Sequence, residues 1–329
     1  MKVLVIGGAG YIGSHAIYEL IRNNHEVVVI DNLSTGLREM VHKDAKFYLG
    51  DITKKETLIP IFEKEMMKKP IDVVMHFAAK LIVPESITKP LEYYHNNVEG
   101  VRIMLEVMKE FGIKNVVFSS TAAVYGNPDK YICEETDPTN PINPYGESKL
   151  ASEKLIKWVC QAHNMNYCIF RYFNVAGADH SLEIGLKKDN LTHLIPITIQ
   201  TALGLRDKMY VFGDDYDTKD GTCIRDYIHV SDLARAHVLG AEYLTKNSKS
   251  LLVNLGSNSG FTVKEVILEV EKIMPVNYEI HPRREGDPAK LIASNKKAKE
   301  LLGWTPKYNL HDIIETDLGF RKKMMSEIK

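Results

Sequence analysis

Four apolar residues, Val3-Leu4-Val5-Ile6, pass directly into the turn Gly7-Gly8-Ala9-Gly10-Tyr11-Ile12-Gly13. A short apolar, β-branched run is the pattern of a parallel strand buried on both faces. From Tyr11 the apolar spacing becomes helical, through Ile12, Ala16, Ile17, Leu20 and Ile21. A second strand, Glu26-Val27-Val28-Val29-Ile30, ends at Asp31. Further strands are predicted at Lys46–Leu49, leading into Gly50-Asp51-Ile52, at Asp72–Phe77, ending in Ala78-Ala79, at Asn115–Ser119 and at Asn166–Tyr172. One helix is predicted over Pro90–Phe111, stopped by Gly112, and another carries Tyr145 and Lys149 on to about His163. Strands alternating with helices predict an α/β fold, a doubly wound parallel (Rossmann) sheet.

After Asn174 the alternation loosens and Gly, Asp and Pro cluster, in Gly213-Asp214-Asp215 and Arg283-Arg284-Glu285-Gly286-Asp287-Pro288. The expected division is a dinucleotide-binding domain over 1–174, with 223–245 returning to it. A smaller mixed α/β lobe over 175–222 and 246–329 then binds the substrate. In such sheets ligands lie beyond the carboxyl ends of the strands. Gly7, Asp31, Asp51, Phe77, Ser119 to Thr121 and Phe173-Asn174 all fall there.

The first turn has chemistry as well as geometry. Gly7, Gly10 and Gly13 allow a tight bend, close approach of a pyrophosphate, and packing of helix on strand. The N–H groups of the helix then face the phosphates. The spacing is G-x-x-G-x-x-G, whereas the common dinucleotide fingerprint is G-x-G-x-x-G. Asp31, eighteen residues after Gly13 at the end of the second strand, suits an adenosine ribose and would repel a 2′-phosphate. NAD is therefore expected over NADP.

Bulk properties exclude more than they select. Lys and Arg total 42 against 43 Asp and Glu, a net charge of −1 that favours neither nucleic acid nor an anionic membrane as partner. No apolar run approaches a membrane span and the chain opens directly on a strand, so a cytoplasmic location is expected. Cys133, Cys160, Cys168 and Cys223 lack metal-ligand or C-x-x-C spacing, so reduced structural thiols and no metal are expected.

Tyr145 and Lys149 lie four residues apart, on one helical face. A fixed ammonium beside a phenol favours the phenolate and supplies a base at neutral pH. Such pairs more often decorate a solvated helix face; here the dinucleotide turn gives the pair a partner. His76, on an apolar strand, reads as a satisfied core histidine.

The glycine turn, Asp31, Ser119-Ser120-Thr121 and Tyr145-x-x-x-Lys149 together resemble the extended short-chain dehydrogenase/reductases. Phe212-Gly213-Asp214-Asp215-Tyr216, Arg225-Asp226-Tyr227-Ile228-His229-Val230 and Pro282 to Asp287 narrow the resemblance to the UDP-glucose 4-epimerase group, over nearly the whole chain. That resemblance implies transient oxidation of a UDP-hexose at C4 by bound NAD, with Tyr145 as base, Lys149 supporting it and Thr121 holding the sugar oxygen. It places Gly7, Gly10, Tyr11, Ile12, Gly13, Asp31, Asn32, Asp51, Ile52, Phe77, Ala78, Ala79, Asn96, Ser119 and Phe173, with Tyr145 and Lys149, at the cofactor. It places Thr121, Asn174, His193, Leu194, Arg225, Arg284, Asp287 and Leu291 at the substrate. Arg225 and Arg284 would hold phosphates, Asp287 a ribose, and Leu291 would border the sugar's C2 group, where a small residue admits N-acetylated UDP-hexoses. Nucleotide-sugar dehydratases carry an acid where this chain has Ala122-Ala123, and Lys80 is given no cofactor contact because the corresponding lysine of some epimerases falls at Leu81. The resemblance also implies a homodimer paired through the helices Pro90–Phe111 and Tyr145–His163. The alternatives are a dehydratase, a UDP-hexuronate 4-epimerase, or a non-catalytic NAD sensor.

Overall fold

The computed structural model describes residues 1–128, 130–187, 191–284 and 288–327. The chain divides into two compact units. One comprises Met1–Gly126, Pro138–Tyr172 and Ala234–Val253; the other comprises Asn127–Asp137, Phe173–Leu233 and Asn254–Lys329. The returning segment thus starts eleven residues later than the 223–245 expected from sequence, because Ile224–Arg225 and Tyr227–His229 form strands of the second unit.

The first unit is built on strands β1 (Lys2–Ile6), β2 (Glu26–Asp31), β3 (Lys46–Leu49), β4 (Val73–His76), β5 (Asn115–Ser119) and β6 (Asn166–Tyr172), and on the first three residues of β7 (Leu251–Leu255). They lie in the order β7-β6-β5-β4-β1-β2-β3, and β1 to β6 pair in parallel. The register sets Ile6 opposite Ile30 and His76, and His76 opposite Phe118. Gly7, Asp31, Phe77 and Ser119 therefore follow at one edge of the sheet, the carboxyl edge. All five residues of β1 are buried, as a two-sided apolar run requires. β7 is the one strand of the sheet that the sequence patterning does not single out.

Helices α1 (Tyr11–Arg22), α2 (Lys55–Met66), α3 (Val83–Thr88), α4 (Pro90–Tyr94), α5 (Gly100–Glu110), α6 (Pro144–His163) and α7 (Val230–Asn247) complete the described layers. The helix predicted over Pro90–Phe111 is continuous but carries a π-turn, His95–Glu99, between α4 and α5. One face of the sheet packs Leu4, Ile6, Val28, Ile30, Val74, Val116 and Phe118 against Val101, Met104, Met108, Ile156 and Cys160 of α5 and α6. α6 starts cleanly: the Asn143 side chain accepts from Gly146 N at 2.9 Å, and Pro144 occupies the first turn.

In the second unit, strands Phe261–Thr262, Ile224–Arg225, Lys290–Ala293 and Ile132–Cys133 form a four-stranded sheet in that order. Asn174–Ala176 pairs with Tyr227–His229, and Met209–Phe212 with Tyr278–His281, both in parallel. Helices Leu194–Ala202, Val263–Glu271 and Leu310–Glu327 close a second core around Ile195, Ile199, Val266, Ile267, Ile313 and Ile314.

Candidate active site

Glycines are obligatory in the first turn. Gly7 has φ +82, and a Cβ there would lie 2.4 Å from Ala78 N; one on Gly13 would lie 2.3 Å from Gly7 O. A Cβ on Gly10 would meet only Gly7 O, at 3.4 Å, so this side of the turn is open to an approaching group. α1 begins immediately after, with no side-chain cap and no acidic residue in its first turn. That arrangement suits a pyrophosphate.

The second strand end is organised for the same purpose. Asp31 accepts from Ala9 N at 2.9 Å and Leu33 N at 2.8 Å, tying the glycine turn to the loop that follows β2. Leu33 has φ +57, a left-handed conformation uncommon for leucine, and the Asp31 bond holds it there. Asn32 hydrogen-bonds Asp51, whose carboxyl lies below its usual range: burial raises it, but Thr53 and Asn32 outweigh burial. Both carboxylates are thus acceptors fixed by short loops at one edge of the sheet.

β5 delivers Ser119, and the next residues turn away as a short 3-10 helix, Ala122–Tyr125. Thr121 caps this turn, accepting from Ala123 N at 3.2 Å, and also hydrogen-bonds Tyr145. The capping role and the candidate catalytic role therefore coexist on one hydroxyl.

Tyr145 and Lys149 share the face of α6 that meets β5. Lys149 is buried, with Nζ 4.3 Å from the centroid of the Phe118 ring. The Tyr/Lys spacing predicts a lowered phenol pKa; the structure gives the opposite direction. Burial pushes Tyr145 up, and the Thr121 hydrogen bond pulls against it. Burial also pulls Lys149 down to about 7, with the charge of Glu153 opposing. A weakly polar surrounding penalises both ions, so the lysine alone does not produce a phenolate.

Three contributors escape the sequence patterning. Glu153 follows Lys149 by one helical turn; it is fully buried, accepts from the Ser120 hydroxyl, and pairs with Arg171 Nε at 2.9 Å and Nη2 at 2.6 Å. The 145–149–153 spacing was the available signal. Asn97, in the π-turn, donates to Ser148 Oγ and Lys80 O, both at 3.0 Å, and accepts from Lys80 N at 2.8 Å. It thereby pins the Lys80 loop and the π-turn to α6, a placement typical of π-turns at functional sites. Asn96 beside it donates to Asn97 at 2.9 Å, and the Lys80 ammonium is engaged by Glu92 at 2.8 Å. The third contributor, His237, lies on α7, 2.8 Å from Ser119 Oγ. No sequence pattern marks it.

His76 is buried as expected but is not satisfied: neither ring nitrogen has a hydrogen-bond partner. Burial and the Lys149 charge push it down to about 3, so the ring is neutral. The four cysteines form no disulfide and are buried. Burial raises Cys133 and Cys160 to about 12, and Cys168 rises as well. These thiols are not nucleophiles at neutral pH. Among the described residues no acidic, cysteine or histidine group is arranged to hold a metal.

The second unit carries the other candidates. Asn174 Nδ2 donates to Asp226 O at 2.9 Å. His193 precedes the helix that Leu194 begins. Arg225 stands opposite Leu291 in a parallel pair, and its Nη1 donates to Ile224 O and Pro288 O, both at 2.8 Å. Arg284 is exposed, its guanidinium 3.9 Å from the Phe212 ring centroid. Arg283 pairs with Asp215 at 2.6 Å over the Tyr216 ring. With Gly213, Asp214, Ile280, His281 and Pro282 these last two line an open cleft of about 480 Å³ within this unit. Asp287 lies outside the described residues.

A glycine turn open to a pyrophosphate, an acidic β2 end, and a half-buried tyrosine with a buried lysine one helical turn on, beside a strand-end hydroxyl, define a dinucleotide-dependent enzyme of the extended short-chain dehydrogenase/reductase class. Residues 3–256 match the NAD dependent epimerase/dehydratase family, and the chain belongs to it. A UDP-glucose 4-epimerase of Halalkalibacterium halodurans is 49% identical over 98% of this chain and 96% of its own length. The crystal structure of UDP-glucose 4-epimerase from Brucella ovis in complex with NAD is 42% identical, with a TM-score of 0.93 and 97% of each chain covered. The UDP-Glc/GlcNAc 4-epimerase from Campylobacter jejuni is also 42% identical, with a TM-score of 0.86 over 98% of this chain and 99% of that one.

Proposed function

We propose that the protein interconverts UDP-galactose and UDP-glucose by reversible oxidation at C4 of the hexose, with NAD held throughout the cycle. The observation that carries this reading is the Thr121–Tyr145 hydrogen bond at the strand end, next to Ala122-Ala123. It joins the two groups that must hold the 4-hydroxyl, at a place with no acid to expel water. The relatives, nearly full-length matches that carry the 4-epimerase name, support the same reading.

Tyr145 takes the proton of the 4-hydroxyl as the carbonyl forms, and returns it when the opposite face of the sugar is reduced. Thr121 accepts or donates at the same oxygen, and Lys149 adds positive charge beside the phenolate. NAD, when bound, accepts and returns the C4 hydrogen and brings a positively charged ring to Tyr145. Gly7, Gly10, Gly13, Asp31 and Asp51 would hold it through the pyrophosphate and ribose, with Tyr11, Ile12, Asn32, Ile52, Phe77, Ala78, Ala79, Asn96, Ser119 and Phe173 completing the binding surface. Arg225, Arg284 and Asp287 would hold the UDP, with Asn174, His193 and Leu194 beside them.

Incubation with UDP-galactose and no added NAD, read by a coupled assay for UDP-glucose, tests the reading. Turnover is expected. No turnover, with or without NAD, would sink it. Tyr145→Phe tests the base separately: turnover should fall by about a hundredfold or more, and retained turnover would remove Tyr145 from the role.

We also assign the protein to a homodimer in the cytoplasm. No described helix is long and apolar enough to cross a membrane. α6 leaves Trp158 69% exposed, one turn beyond the half-buried Leu155, and α4 leaves Leu91 84% exposed. Pairing with a second copy would cover both. Light scattering should give a dimer, and Trp158→Glu a monomer; a monomeric parent would refute the assignment.

A further inference from the structure

His237 is fully buried on α7, a helix that the base and glycine motifs leave unused. Its Nε2 lies 2.8 Å from Ser119 Oγ, at the carboxyl end of β5. Three aromatic rings fix the imidazole: Phe77 at 4.8 Å, Phe170 at 4.9 Å and Tyr172 at 6.3 Å between centroids. Helix α7 reaches this depth because residue 240, on the same helical face, is glycine. A Cβ there would come 2.7 Å from Phe170 and 2.8 Å from Cys168 Sγ. Ser119 in turn hydrogen-bonds Tyr172, whose phenol interacts electrostatically with that of Tyr145. A chain of contacts, His237–Ser119–Tyr172, buried at His237 and Ser119 and half-buried at Tyr172, therefore couples electrostatically to Tyr145.

We propose that His237 is a positioning residue for the reaction at Tyr145: it locks the Ser119 rotamer, and through it orients the Tyr172 phenol, which interacts electrostatically with that of Tyr145. The inference rests on Tyr145 being the base. A serine at a strand end has three accessible side-chain rotamers. One hydrogen bond to an immobile ring selects among them, and small misplacements near reacting atoms are costly in rate.

The test uses the full-length, NAD-loaded protein with UDP-galactose. His237→Leu keeps the volume and removes the bond; His237→Gln keeps a polar group near Nε2. His237→Leu should lower kcat about tenfold or more while KM stays within about twofold, with NAD content unchanged and the pH dependence of kcat displaced. His237→Gln should recover most of kcat. Combined with Ser119→Ala, His237→Leu should add no further loss, because both act through one hydroxyl. A His237→Leu kcat within about twofold of the parent with an unmoved pH profile, or multiplicative losses in the double variant, would overturn the proposal. If His237→Leu does not fold, His237→Met, which also removes the imidazole bond, takes its place in the same cycle with Ser119→Ala and decides. Failure of the Tyr145 reading shows separately, as retained turnover in Tyr145→Phe.

Discussion

Glu153 stands two helical turns beyond Tyr145 and grips Arg171 with both carboxylate oxygens, at 2.9 Å from Nε and 2.6 Å from Nη2. The pair is buried, and Glu153 also receives the Ser120 hydroxyl, so one carboxylate joins α6, β6 and the loop that presents Thr121. Removing Arg171 takes the bidentate partner from a buried carboxylate and leaves it to the Ser120 hydroxyl and the half-exposed Lys157 ammonium, 3.8 Å away. Arg171→Met should therefore destabilise the protein by about 3–5 kcal/mol, measured by urea unfolding. A loss below about 1 kcal/mol would mean the pair is a bystander.

Lys149 should weaken the fold that it serves. Burial lowers it to about 7, against an ordinary 10.5. Below pH 7 the folded protein must keep a buried ammonium, which disfavours folding in full. Between pH 7 and 10.5 the folded state releases the proton before the unfolded state does, and the penalty fades; above 10.5 it is gone. Lys149→Met should thus be more stable than the parent by a few kcal/mol at pH 6, with the difference shrinking as pH rises to 10, while epimerase turnover is lost. Thermal unfolding of both proteins across this range checks it, and a variant no more stable at pH 6 would refute it.

The apolar runs of β1, β2, β4, β5 and β6, buried along most of their length and each followed by a turn or loop, made the parallel sheet legible, with the half-buried β3 at its edge. β7, Leu251–Leu255, was not: Asn254 breaks its apolar run after three residues, and it joins β6 only after some eighty intervening residues. The same limit hid part of the site. Tyr145, Lys149 and Thr121 stand out because their spacing is local or their strand end is marked. Arg171 and His237 act through partners 18 and 118 residues away, and only tertiary packing brings those pairs together. The acidity of Tyr145 was misjudged for a related reason: spacing shows that a lysine is near, but burial, which dominates both groups, is a property of the packed sheet and helix.

Glu65 supplies an acid-sensitive clamp at the opposite edge of the sheet. Its carboxylate receives Lys2 at 3.0 Å, Tyr48 and Lys46. Burial raises it, but these three partners outweigh burial and hold it at about 2, against an ordinary 4.5. A depressed carboxylate stabilises the fold above pH 4.5, and that contribution disappears as pH falls from 4.5 through 2. Glu65→Gln should lower stability at pH 7 and flatten its pH dependence between 4.5 and 2. Urea midpoints at pH 7, 4 and 3 report it; parallel curves for parent and variant would refute the clamp.

The family resemblance puts Leu291 at the sugar's C2 group, and we propose that it governs which sugars the protein admits. In the parallel pairing of Ile224–Arg225 with Lys290–Ala293, Arg225 and Leu291 are register partners, so the two side chains project to the same face. If Arg225 holds a phosphate of the UDP, Leu291 borders the hexose attached to it. Leucine ends well short of a tyrosine ring, leaving room for an acetamido group at C2. The parent should therefore turn over both UDP-galactose and UDP-N-acetylgalactosamine. Leu291→Tyr should lose kcat/KM for the acetylated sugar by about 10- to 200-fold, the range a pocket wall commonly imposes, with UDP-galactose turnover little changed. Equal losses on both sugars would mean that Leu291 shapes the fold of its strand and not the pocket, and a parent inactive on the acetylated sugar would place the exclusion at another residue.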